Sequence, residues 1–110
     1  MMIRMGCFLV PLVGCVDDNA AFCKDVPTLT WDSFGQDFIQ HNCLSCHSES
    51  AAERNGAPVN IVLDTQAQVL DHKERVIHTI NGGTPMMPPY GGVDTDDLWQ
   101  AEVWLRCFEP

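Results

Sequence analysis

No stretch of this 110-residue chain alternates apolar and polar side chains for long enough to build a half-buried strand. Its longest early apolar run, Met5 to Val13, covers nine residues, far short of the ~20 that cross a bilayer as a helix. Basic side chains are scarce: six Lys and Arg stand against fifteen Asp and Glu, a formal charge of −9. That balance argues against nucleic acid or an anionic lipid surface as a partner. Internal repeats and low-complexity tracts are missing, and no constellation of acid, base and nucleophile supports enzymatic turnover.

Cysteine, by contrast, is abundant. Six in a single small domain, near the length where a side-chain core becomes marginal, point to covalent or metal chemistry as an added staple. The first of them, Cys7, lies in the apolar run that follows Arg4, and that run has the length of a secretory h-region. It closes with Leu12-Val13-Gly14-Cys15, which resembles a bacterial lipobox, where the signal is cut before the cysteine and the thiol receives a diacylglyceryl group. The resemblance implies a signal peptide over residues 1–14, a lipid on Cys15 and a periplasmic, membrane-anchored product. Ordinary signal cleavage and an uncleaved short anchor are the alternatives. Losing residues 1–14 removes Arg4 and no acid, so the charge becomes −10 and suits a partner carrying a basic patch.

Residues 15–29 read as a lipidated N-terminus and tether, polar and acidic with Pro27, and residues 30–110 as the folded domain. Trp31, Phe34, Phe38 and Ile39 recur at helical spacing, with Thr30 as cap, so one amphipathic helix is expected to run into Cys43. Ser48 to Asn60 is a small, polar loop leading to the apolar patch Ile61-Val62-Leu63. Two short helices should follow, Thr65 to Leu70 and Asp71 to Ile80, ended by Asn81-Gly82-Gly83. Thr84-Pro85-Met86-Met87-Pro88-Pro89-Tyr90-Gly91-Gly92 is neither helix nor central strand. Thr95-Asp96-Asp97 then opens a last helix through Trp99 and Trp104 to about Cys107.

The chemistry is concentrated in His41-Asn42-Cys43-Leu44-Ser45-Cys46-His47. In a helical turn Cys43, Cys46 and His47 sit at i, i+3 and i+4, so all three can address one flat object from one side. Cys-x-x-Cys-His is the attachment signature of haem c: the sulfurs add to the two vinyl groups and the histidine reaches the iron. A zinc site would need a second ligand pair, and Cys23 and Cys107 are singles. A thiol-disulfide oxidoreductase would place the motif after a buried strand, although Thr84-Pro85 could imitate the Thr-Pro it prefers.

With Met86-Met87-Pro88-Pro89 late in the chain and an aromatic C-terminal helix, residues 31–110 resemble the class I c-type cytochromes. The resemblance implies an all-α, small cytochrome c-like fold around one covalently attached haem c, with iron. It also implies one-electron transfer between redox protein partners rather than catalysis. Carried over residue by residue, it gives Cys43 and Cys46 as attachment sites, His47 as proximal ligand and Met87 as distal ligand, since the family's Met commonly stands directly before Pro. Met86 is the rival, and His72 or His78 would give a bis-His haem. The terminal helices should cross closely at Gly35, against Trp104 or Trp99, and the Pro58 carbonyl should accept from the second N–H of His47. Once lipid is assigned to Cys15 and haem to Cys43 and Cys46, Cys23 and Cys107 remain, expected to pair in an oxidising compartment, with two free thiols as the alternative. Other readings left open are a haem-based sensor of a small gas and a haem-free thiol-disulfide lipoprotein.

Overall fold

A computed structural model describes residues 18–83, 86–89 and 91–109. The signal segment, Cys15, Thr84-Pro85 and Tyr90 lie outside the described residues. Among those described there are helices and no strands, in keeping with the all-α expectation. They are α1 (Asp18–Phe22), a π-helical turn (Trp31–Gly35), α2 (Gln36–Asn42), α3 (Leu44–His47), α4 (Gln66–Asp71), α5 (Lys73–Ile80) and α6 (Thr95–Cys107). None of them is long and apolar enough to cross a membrane.

Local chemistry sets most boundaries. Thr30 and Ser33 form a reciprocal capping box, the Ser33 N–H donating to Thr30 Oγ1 at 3.0 Å and the Thr30 N–H to Ser33 Oγ at 2.9 Å. Thr65 and Gln68 repeat the device at α4. One expectation is refined and one needs correction. The helix runs without a break from Trp31 to Asn42 and into Cys43, but its first turn is the wide π form, the Gly35 N–H reaching back five residues to the Thr30 carbonyl at 3.0 Å. At α6 the cap is Asp94, whose carboxylate accepts from the Asp96 N–H, because Thr95 already has helical geometry. Residues 15–29 hold more than a tether, since α1 lies within them.

The core gathers Phe38 and Ile39 of α2, Leu63, Val69 of α4, Val76, Ile77 and Ile80 of α5, and Ala101, Trp104 and Leu105 of α6. Trp104 is its largest fully buried side chain. A Cβ added to Gly35 would fall 2.6 Å from Trp104 Cε2, so the missing side chain is what lets the π-helical turn rest on the indole. Trp104 is thus the crossing aromatic; Trp99 faces solvent at 41% exposure. Trp31 and Phe34 complete the aromatic cluster, with ring centroids 5.9 and 6.4 Å from Trp104. The indole N–H donates to Glu109 Oε2 at 3.1 Å, and the same oxygen accepts from Gln66 Nε2 at 2.6 Å, so the buried polar edge of the ring is satisfied.

At the far end of α6, Arg106 pairs with Glu102 at 2.8 Å, donates to Asn19 Oδ1 at 3.1 Å and lies 5.3 Å over the Phe22 ring. Beside them Cys23 and Cys107 stand with Cα atoms 5.7 Å apart and sulfurs at bonding distance. Helix α1 is therefore held against α6 by the Arg106 contacts to Asn19 and Phe22, with the two sulfurs alongside.

Candidate haem site

Helix α2 ends because Cys43 leaves helical geometry at φ −124°, ψ −34°. Its carbonyl accepts from the N–H of Cys46 at 3.2 Å and of His47 at 2.9 Å, so a new turn starts at once. That break makes Cys43 to His47 a unit of its own, and Cys43, Cys46 and His47 line one cavity.

His47 is the buried polar side chain of the described residues. Its Nδ1 lies 3.0 Å from the Ile61 carbonyl; a carbonyl only accepts, so Nδ1 carries the proton and Nε2 keeps its lone pair for a metal. Two residues on, the Leu63 N–H donates to the His47 carbonyl at 2.8 Å. The expected partner, Pro58, does not serve. Its carbonyl is turned inward to accept from the Ile61 N–H at 3.1 Å and from the Arg54 guanidinium at 3.4 Å, and this tight turn is what presents the Ile61 carbonyl to the ring.

The facing wall comes from α5 and the Met-Pro loop. The Met87 N–H donates to the Thr79 carbonyl at 3.0 Å, docking the loop on the last turns of α5. Met87 is half-buried and lines both cavities that open beside His47, whereas Met86 is 51% exposed and lines neither. The cavities measure about 120 and about 470 Å³ and share Cys43, His47, Pro58, Ile80 and Met87. Ile61, Leu63 and Val76 make the smaller one apolar, while His72 and Arg75 put positive and polar groups on its wall.

The rival histidines are thereby separated. His72 lines the smaller cavity. His78 instead packs against the Gly83 backbone, and His41 donates through Nδ1 to the Asp37 carbonyl at 3.0 Å, in a different hollow. Burial, and secondarily the neighbouring Cys46, push the Cys43 thiol up to about 12. A thiol-disulfide enzyme needs the reverse, a thiolate stabilised near neutral pH.

Some groups at the site escaped the sequence reading. Asn55 Nδ2 donates to Cys46 Sγ at 3.3 Å. Arg54 braces the loop after the signature by donating to the Ser48 carbonyl at 3.3 Å, and Asp64 Oδ2 accepts from the Glu49 N–H at 2.8 Å. Asn55-Gly56 is legible as a turn dipeptide, but nothing in the sequence says where its amide aims.

Two free thiols, an imidazole with an open Nε2 and a thioether around an apolar cleft with a cation on one wall fit a flat hydrophobic macrocycle that carries carboxylates and a metal. A family model described as cytochrome c oxidase, cbb3-type, subunit III matches residues 33–105. The chain belongs to this family of c-type cytochrome domains. The cofactor of this cytochrome c domain is accordingly covalently attached haem c with its iron, and its work is electron transfer. No curated protein and no solved structure matches the chain. The matched span runs from the π-helical turn to Leu105, so it includes the signature, the Ile61 to Leu63 strap, α5, the Met-Pro loop and most of α6.

Proposed function

We propose that this cytochrome is a periplasmic one-electron carrier with a single haem attached through Cys43 and Cys46 and ligated by His47 and Met87. The observation that carries the reading is that Met87 and His47 line the same cleft, with the His47 ring held by the Ile61 carbonyl so that Nε2 is left for iron. When bound, haem c supplies an iron that alternates between ferric and ferrous states. The chain's residues do the rest. His47 is fixed in tautomer and direction, and Met87 sits on a loop stiffened by Pro88 and Pro89 and bonded to α5, so neither ligand has far to move between oxidation states. Ile61, Leu63, Val76 and Ile80 exclude water, which with a thioether ligand favours a relatively positive potential. Arg75 and His72 offer partners for the carboxylates of the macrocycle.

The same proposal includes export with residues 1–14 removed, a lipid on Cys15 that anchors the domain to a bacterial membrane, and a Cys23–Cys107 disulfide closed after export. The partners are redox proteins, with a basic patch suited to the acidic surface. The family's description makes a cytochrome c oxidase complex the first one to test.

Intact mass and the pyridine haemochrome spectrum of the full chain, produced with a bacterial haem-ligation pathway, test the reading together. One covalent haem, a diacylglyceryl group and the loss of two hydrogens are expected; a colourless product overturns it. Fast, stoichiometric carbon monoxide binding by the reduced protein at neutral pH would replace the carrier by a gas sensor.

A further inference from the structure

The Asn55 side chain has no part in the ligation just described, yet among the described residues it donates a hydrogen bond to one of the two signature sulfurs. Its backbone occupies the left-handed region at φ 51°, and Gly56 follows at φ 88°, with the Ala57 N–H closing the turn on the Arg54 carbonyl at 2.9 Å. Asn-Gly is the favoured pair for two successive positive φ values, which alone accounts for an asparagine here. It does not account for the direction of the amide. Asparagine in such turns ordinarily bonds its own backbone, whereas Asn55 Nδ2 donates to Cys46 Sγ at 3.3 Å, nine residues back. Among the described residues the other hydrogen-bonding partner of that sulfur is Ser45 Oγ, at 3.8 Å. The turn is in turn clamped: Arg54 grips the Ser48 and Pro58 carbonyls, so Asn55 is held over the cleft on a rigid support, and both Cys46 and Asn55 line the larger cavity.

We propose that Asn55 is a positioning residue for the second thioether, holding the Cys46 sulfur at the cleft mouth where it meets its vinyl group. This rests on the haem reading above. In the step it serves, the Cys46 thiol adds across a vinyl double bond: sulfur bonds to the carbon next to the ring, the thiol hydrogen goes to the terminal carbon, and the π pair is consumed. No oxidant or reductant is required. The product sulfur keeps a lone pair, so the Asn55 N–H retains its acceptor after attachment. Among the described residues no hydrogen-bond donor reaches the Cys43 sulfur, so Cys43 does not depend on this amide.

Two variants separate aim from fold. Asn55→Gly keeps the positive φ and removes the amide; Asn55→Asp keeps shape and turn preference but has no N–H to give. Each is produced as the full chain with the haem-ligation pathway, then denatured and alkylated, and alkylated cysteines are mapped by peptide mass. Both variants are expected to show a several-fold rise in chains alkylated at Cys46 but not Cys43, with a haemochrome α-band shifted to longer wavelength by the surviving vinyl. Thermal midpoints of Asn55→Asp and the parent should agree. Two thioethers in both variants at the parental level would overturn the proposal, and so would equal alkylation of Cys43 and Cys46. A colourless parent chain would instead overturn the haem reading itself.

Discussion

The indole of Trp104 occupies the space that a side chain on Gly35 would need, 2.6 Å from the position of the missing Cβ at its Cε2 atom. Neither partner can yield: Gly35 is backbone, and Trp104 is fully buried with its N–H engaged by Glu109. Gly35→Ala should therefore destabilise the domain by about 1–3 kcal/mol through overpacking, although alanine is the better helix former. Denaturant melts of the two haem-loaded proteins measure this; equal midpoints would mean that the close approach is not required.

Met87 and Met86 differ in where they sit rather than in chemistry. Met87→Ala should abolish the long-wavelength sulfur-to-iron absorption band of the ferric protein and lower its potential, while Met86→Ala, altering a solvent-facing side chain, should leave both in place. Visible spectra and a redox titration read the result. Loss of the band in the Met86 variant alone would exchange the two assignments.

Asp64 ties the loop after the signature to the strap. The Glu49 N–H, then the Ser48 hydroxyl, hold its carboxyl below the ordinary value of 3.8. A depressed folded value stabilises the protein fully above that ordinary value, and the contribution vanishes as pH falls through the folded one. Asp64→Asn should accordingly be less stable than the parent at about pH 6, with the difference shrinking as pH falls below the ordinary carboxylate value. Thermal melts across that range check it, and a gap independent of pH would remove the carboxylate from the explanation.

Cys23 and Cys107 are separated by 84 residues of sequence. Closing so long a loop should stabilise by about 4 kcal/mol in the chain-entropy picture. The double variant Cys23→Ser with Cys107→Ser should show that loss in guanidinium melts while its visible spectrum stays parental, and adding reductant should weaken the parent but not the variant.

Much of this architecture was legible in the sequence because it rests on local chemistry. The Thr30 cap, the apolar positions of α5, the Asn81-Gly82 stop and the spacing of Cys43, Cys46 and His47 are all written within a few neighbouring residues. What stayed hidden depends on backbone geometry that side-chain patterns do not encode. The π-helical turn arises where Gly35 presses on an indole almost seventy residues away in sequence, so its cause is tertiary. The carbonyl that holds His47 belongs to Ile61 rather than Pro58 because a turn of four residues points one carbonyl inward and the other at the ring. Helix α1 is too short to announce itself through periodicity and exists by virtue of its contacts with Arg106 and Cys107.

The docking of α1 on α6 also has a mechanical meaning. A pull or twist on the chain ahead of Asn19 passes through Asn19, Phe22 and Cys23 into α6, and from Trp104 into the turn that precedes the signature. Load arriving at Asn19 would thus reach the haem-bearing turn through side chains laid across the fold, a shorter route than the backbone between them.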